Sequence, residues 1–256
     1  MDAGIKIERD NYVGIITLDR PEKLNAVTPE MADVLVTAVN ALNDDNAIRC
    51  IILTGSGDKA FCAGSDIRTL DDYDTPWNFR NRPDYCDALR ALRKPSIAAV
   101  NGYAFGGGLE TAMTCDIRIA SENASFAAPE IKLGWIGGGG MAVGLSHAVG
   151  PSNAALMIMT GDPIDAATAE RWGLVSKVTT RASLMGEAKA LAAAIAARAP
   201  IAAETAKLNL RAAWEMSVEN AIAYERDLQT ICFATQDAHE GRAAFKEKRQ
   251  AHFSRK

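Results

Sequence analysis

The order of apolar and polar positions divides the chain into two regions of different character. Ile5 to Arg9 and Val13 to Asp19 read as two short strands around an Asp10-Asn11 turn, a hairpin signal. Thr28 offers an N-cap, Pro29 an N1 residue and Glu30 a favourable first-turn acid. Met31, Leu35, Val39 and Leu42 follow at helical spacing, which predicts a helix to about Asn43. Arg49 to Thr54 is an apolar, β-branched run ending in Gly55, the mark of a buried parallel strand. Ser96 to Val100 repeats it after Lys94-Pro95, and Asp116 to Ala120 is a third such run. Strands and helices alternate through about residue 180, so residues 1–183 are expected to form an α/β core with crossover connections that carries the site.

From Leu184 the residues turn to alanine-rich helical runs, Leu184 to Ala199, Ile201 to Met216 and Val218 to Ala234, with a basic tail from Glu240 to Lys256. Such helices bury little area per residue, so region 184–256 is expected to dock on the body or on a neighbouring subunit. Between Leu70 and Arg82, the polar, proline-bearing stretch Asp71 to Phe79 is expected to be an irregular surface segment, of the kind often found over a site.

Composition narrows the function classes. With 256 residues, 48% hydrophobic and 23% charged, the chain is an ordinary globular one, and its net charge of −4 argues against a general nucleic-acid binder. The N-terminal stretch Met1 to Lys6 has no secretory pattern, and no apolar run approaches the roughly 20 residues of a membrane span. Cys50, Cys62, Cys86, Cys115 and Cys232 are scattered without C-x-x-C spacing and read as reduced thiols of a cytoplasmic protein. His147, His239 and His252 stand in no ligand spacing, so no metal site is expected, and no Ser-His-Asp triad is supported.

The candidate chemistry lies in the turns between elements. Gly55-Ser56-Gly57-Asp58-Lys59-Ala60 matches G-x-G-x-x-A, but no helix follows at once and no strand-terminal acid follows about 20 residues on, so it reads as a plain turn. Gly106-Gly107-Gly108 runs into a helix expected near Leu109, where free N–H groups suit a developing oxyanion; tight helix–strand packing would use the same glycines. Ala63-Gly64-Ser65-Asp66 is a similar turn, with Ser65 N–H as the donor and Asp66 as either a cap or a ligand contact. Glu110 and Glu130 each suit a helix-dipole role, yet each has apolar neighbours, and burial would lift a carboxyl towards the range useful for proton transfer. Gly137 to Gly140 brings backbone close to something, and Lys59, Arg68, Lys246, Lys248 and Arg249 are candidate phosphate contacts.

Taken together these segments resemble the enoyl-CoA hydratase/isomerase (crotonase) superfamily. The likeness is carried by Leu18-Asp19-Arg20-Pro21 with Leu24-Asn25-Ala26, by Lys59 to Ile67, by Lys94-Pro95 and Val100 to Glu110, and by Cys115-Asp116. It continues through Ala124-Ser125-Phe126 to Pro129-Glu130, Leu133-Gly134, Thr160-Gly161 and Ala169 to Val175. The resemblance implies a spiral of β-β-α units with a C-terminal helical trimerisation region that also covers the site, as homotrimers or dimers of trimers. It implies an acyl-CoA thioester whose carbonyl oxygen lies between the N–H groups of Ser65 and Gly107, with Glu110 and Glu130 as the hydratase acids and no cofactor beyond the CoA of the substrate. Lys23, Leu24, Lys59, Ala63, Ser65, Asp66, Ile67, Arg68 and Gly138 fall where the CoA portion binds, and Trp135 and Met141 at the acyl pocket. Relatives with other chemistry, isomerases and specialised dehydratases, are the alternative. After Gly134 this chain departs from the common hydratase pattern: Gly137 stands where proline is usual, and Met141-Ala142-Val143 replaces a polar trio.

Overall fold

The computed structural model describes residues 3–256; Met1 and Asp2, where the N-terminal reading begins, and the side chain of Asp71 lie outside the described residues. Strands β1 (Ile5–Asp10) and β2 (Val13–Leu18) form the expected antiparallel hairpin, with Ile5 opposite Leu18. Helix α1 (Pro29–Asp44) begins at Thr28, whose hydroxyl accepts the Met31 N–H at 3.3 Å, and crosses to β3 (Cys50–Gly55), parallel to β2. From there one pattern repeats: a strand in a large sheet, a short strand in a second sheet, then helix. β3 leads to β4 (Ala60–Cys62), α2 (Pro76–Arg80) and α3 (Tyr85–Arg90). β5 (Ser96–Val100) leads to β6 (Tyr103–Phe105) and α4 (Gly107–Met113). β7 (Ile117–Ser121) leads to β8 (Ser125–Ala127), a 3-10 turn at Pro129–Leu133, α5 (Met141–Val149) and α6 (Pro151–Thr160). β9 (Ile164–Asp165), α7 (Ala166–Trp172) and β10 (Lys177–Thr179) close the series. The large sheet runs β1-β2-β3-β5-β7-β10 and the small one β4-β6-β8-β9, which together make the expected β-β-α spiral.

The small sheet positions the site. Its first three strands are parallel, with Cys62 opposite Ala104 and Phe105 opposite Ala127, so their C-terminal ends lie side by side. Whatever follows each strand meets there: Ser65 after β4, Gly107 after β6 and Glu130 after β8. Ligands gather at this edge of parallel sheets for the same topological reason.

The large sheet is buried on both faces, which accounts for the near-continuous apolar runs of β3 and β5. Leu18, Leu35, Leu53, Phe61, Leu89, Leu109 and Phe126 pack in the main core. On the other face Val13, Ile15, Ile52, Ile97 and Ile119 are covered by helix α8 (Leu184–Ala196), through Leu184, Ala188, Ala192 and Ala196. These four residues recur every fourth position, and the small side chains of three of them let the helix lie close on the strands. The helix that opens the C-terminal region is thus a layer of this core.

Helices α9 (Pro200–Glu215), α10 (Val218–Phe233) and α11 (Gln236–Glu247) follow. The last corrects the reading of a plain basic tail: Thr235 caps it, and the residues beyond fold back, with the Ser254 and Arg255 amides donating to Asp237 at 2.7 and 2.9 Å. Arg249 is likewise paired at both guanidinium arms with Glu240, at 2.6 and 2.8 Å. The stretch after Leu70 is also more ordered than expected, since it holds the 3-10 turn Ile67–Asp72 and α2. Among the described residues no helix is long and apolar enough to cross a membrane.

Helix α9 is tied to the core by Lys207, 4% exposed, which pairs with Asp116 at 2.8 Å and donates to the carbonyl of Lys94 and the hydroxyl of Ser96. Truncating one partner of a buried pair strands the other charge, but Asp116 keeps two hydrogen bonds from Ser96. Lys207→Met is therefore expected to lower stability by about 2–3 kcal/mol, the low end for such pairs, read from the urea midpoint at constant m.

Candidate active site

Helix α4 starts on the triple glycine, two residues earlier than the pattern predicts. Gly106 takes φ +56°, which glycine adopts freely, and its N–H donates to Ala127 O at 2.9 Å, tying the end of β6 to β8. A Cβ at this position would lie 2.7 Å from Oε1 of Glu130. The glycine therefore serves both the backbone turn and the seat of that carboxyl.

Glu110, in the first turn of α4, is 6% exposed. Its Oε1 accepts the amides of Gly139 and Met141 at 2.8 and 3.0 Å. The four-glycine loop wraps this carboxyl so closely that a Cβ at Gly137 or Gly139 would come within 2.8 or 2.7 Å of its oxygens. Burial pushes the Glu110 carboxyl up to about 7; the Gly139 and Met141 amides pull it back, and the charge of Glu130 adds to the rise. Glu130 is also raised above the ordinary glutamate value by burial, and its Oε2 is buried without a hydrogen-bond partner among the described residues. The negative charge of Glu130 thus makes Glu110 harder to ionise.

Opposite them lie two backbone amides. Val27 runs beside the turn after β4, donating to Gly64 O and accepting from the Asp66 N–H, both at 2.8 Å. This engages both neighbours of Ser65, while the Ser65 N–H finds no acceptor among the described residues; the same holds for Gly107 N–H at the start of α4. A Cβ on Gly64 would sit 3.0 Å from Gly107 N, so the two segments are in contact. The structure thus brings together all four residues expected to do chemistry: Ser65, Gly107, Glu110 and Glu130. Such paired, pre-oriented N–H groups beside an acid pair can polarise a carbonyl and move protons on its carbon chain.

The expected CoA-side residues lie in the loops after β2, β3 and β4, with Gly138 in the four-glycine loop. Leu24, with φ 52°, accepts the Ala63 N–H at 3.0 Å, and Lys23 and Lys59 are exposed. Ile67 is exposed, as is Arg68, which pairs with Asp66 at 3.3 Å. The Asp66 side chain acts as a cap: it accepts the Arg68 N–H and pairs with Arg20. Against the upward push of burial, hydrogen bonds from Arg68 and Arg20 hold its carboxyl below the usual range. Gly138 is open to solvent between the two glycines that touch Glu110. Trp135 is half-exposed, whereas Met141 is buried in the main core and meets the site through its amide.

Three residues near the site escape sequence reasoning. Asn25, fully buried, donates to Ser56 O and Ala60 O and accepts the Arg20 N–H, fastening the loop after β2 to β4. Tyr85, the first residue of α3, places its hydroxyl 3.1 Å from Ser65 Oγ and against Gly107. Arg90, the last residue of α3, donates to Gly139 O at 2.6 Å. The Asp84 cap before Tyr85 is readable as a helix start, but nothing local shows where this helix docks.

The fold and the site define an acyl-thioester enzyme of the β-β-α spiral class, and comparison with known proteins agrees. The family model Enoyl-CoA hydratase/isomerase matches residues 8–256, and the chain belongs to this family. It is 45% identical over 253 residues to the Mycobacterium bovis protein named "Probable enoyl-CoA hydratase echA8", covering 98% of this chain and 97% of that one. It is 44% identical over 246 residues to the mitochondrial enoyl-CoA hydratase of Pongo abelii, covering 96% and 84%. Among solved structures, the enoyl-CoA hydratase of Bacillus anthracis superposes with a TM-score of 0.93 at 31% identity, covering 99% of this chain and all of that one.

Proposed function

We propose that the protein is an enoyl-CoA hydratase, a hydro-lyase that adds water reversibly across the 2,3 double bond of an enoyl-CoA thioester to give the 3-hydroxyacyl-CoA. The observation that carries this reading is the pair of raised carboxyls, buried Glu110 and half-buried Glu130, beside two unengaged amides. In the hydration direction Glu110 takes a proton from water as its oxygen bonds to C3. The displaced π electrons move to the thioester oxygen, held by the Ser65 and Gly107 N–H groups. Glu130 then delivers a proton to C2 as the carbonyl re-forms. Because Oε1 of Glu110 already accepts two amides, Oε2 is the oxygen that exchanges the proton. The reaction as drawn calls for no metal ion or redox group.

The reverse step uses the same pair in the opposite charge state. In dehydration a protonated Glu110 gives its proton to the departing C3 hydroxyl, while an ionised Glu130 takes the C2 proton. Passing that proton through bound water from Glu110 to Glu130 prepares hydration. Either direction needs the pair to carry one proton. Activity is therefore expected to fall about tenfold per pH unit above a midpoint near 7, where Glu110 ionises, and to fall again in acid where Glu130 is neutralised. The test is loss of enone absorbance from crotonyl-CoA across pH 4.5–9; no turnover at any pH would end the hydratase reading.

On the CoA side the same reading uses Lys23, Leu24, Lys59, Ala63, the backbone of Ser65 and Asp66, Ile67, Arg68 and Gly138, with Trp135 and the rim around Met141 at the acyl end. A homotrimer or dimer of trimers is supported by the apolar residues exposed on α9 and α10, among them Leu210, Trp214, Val218 and Phe233, each more than 60% exposed. Five unpaired cysteines fit a reducing compartment such as the cytoplasm.

A further inference from the structure

We infer that Arg90 is a positioning residue for Glu110, acting through the carbonyl of Gly139. The inference rests on the reading of Glu110 as half of the acid–base pair. Residues 137–140 are all glycine, so this loop has no side chain of its own with which to hold a course. Its anchors come from outside. Gly139 is pinned on both sides: its N–H donates to Oε1 of Glu110 at 2.8 Å, and its C=O accepts from Nη1 of Arg90 at 2.6 Å. The other arm of the guanidinium is held by Asp87, one turn back on α3. Nη1 also lies 3.2 Å from where a Cβ of Gly140 would be. The cation thus underlies residues 139 and 140, just before Met141, whose amide is the second donor to Glu110.

The consequence is a choice of oxygen. With both amides on Oε1, Oε2 is left to meet water. Without the Arg90 anchor, the glycine loop is free to drift, the two donors separate from Oε1, and the carboxyl loses its fixed orientation. The charged and titratable groups facing Glu110 are then Glu130 from the turn after β8, Asp84 before α3, and Tyr85 and Cys86 on α3. Loss of the two donors raises the Glu110 carboxyl and loss of the loop's cover lowers it, so the split between kcat and KM, rather than the pH profile, reports the anchor.

Three variants assayed on crotonyl-CoA test this. Arg90→Met is expected to lower kcat by about 10–100-fold with KM changed less than about twofold, the pattern of a misplaced catalytic group. Arg90→Lys, which keeps a cationic donor for the Gly139 carbonyl, is expected to recover most of kcat. If Arg90→Met does not fold, the Lys variant alone decides, through a kcat below that of wild type at an unchanged KM. A wild-type kcat in the folded Arg90→Met variant overturns the inference, as does a loss of kcat accompanied by an equal rise in KM. Glu110→Gln in the same assay separates the two levels: if it retains turnover, the reading of the pair fails; if it is inactive and Arg90→Met behaves as wild type, only the role of Arg90 fails.

Discussion

Glu110→Gln is expected to lower kcat by about two to four orders of magnitude while leaving affinity for the CoA thioester nearly unchanged. The amide oxygen of glutamine can still accept from Gly139 and Met141, so the loop keeps its course, but no proton can be taken up at the second atom. The same variant is expected to be more stable than wild type at alkaline pH. Holding a carboxylate whose pKa has risen from 4.5 to about 7 costs the folded state about 3 kcal/mol once the group is ionised. The sign follows from linkage. A group raised on folding contributes stability that is fully present below its unfolded pKa and is lost as pH rises through the folded value. The advantage of glutamine is therefore absent near pH 4.5 and complete above pH 7, as urea midpoints at the two ends would show. Glu130→Gln should lose turnover as severely. Near-normal activity in either variant would refute the two-acid assignment, and a stability difference independent of pH would refute the burial argument for Glu110.

Gly107→Ala is expected to lower kcat/KM by about 10²–10³-fold, the usual cost of a lost oxyanion donor. The added methyl would fall 1.9 Å from the Tyr85 hydroxyl and 3.2 Å from its ring carbon, and the ring is buried and hydrogen-bonded to Ser65. Relief of that clash rotates the Gly107 amide away or drives the tyrosine onto Ser65, so both donors suffer. Removing the hydroxyl leaves only the 3.2 Å approach. Tyr85→Phe introduced into the Gly107→Ala background should therefore restore part of the lost rate, although by itself it restores nothing in the wild type. A double-mutant cycle measures this coupling, and strict additivity would show that the methyl acts elsewhere.

Much of the architecture could be read before any coordinates. The hairpin, the Thr28-capped helix and the three buried strands of the large sheet lie within about two residues of their expected limits, since period and capping are local signals. The short strands β4, β6 and β8 were not legible. Three residues cannot display a period of two, and these strands are held by their neighbours in the small sheet more than by their own composition. Helix α11 was hidden by its polar surface, which reads like a tail until Asp237 is seen holding the returning chain.

The site divides along the same line. Glycines at 106–108, acids at 110 and 130 and the turn at 63–66 are visible as residue types, and their joint order resembles one family closely enough to assign each a place. Sequence alone thus determined which groups are available: two carboxyls that apolar neighbours would raise, and turns whose N–H groups no helix or strand would use. Only the tertiary structure decided that they face one another. That convergence depends on parallel registry between strands far apart in the chain, Cys62 beside Ala104 and Phe105 beside Ala127, and on α3 bringing Tyr85 to one side and Arg90 to the other. Local propensity acts over a few residues, whereas register and docking are settled by burial summed over the whole core, and no window of sequence contains that sum.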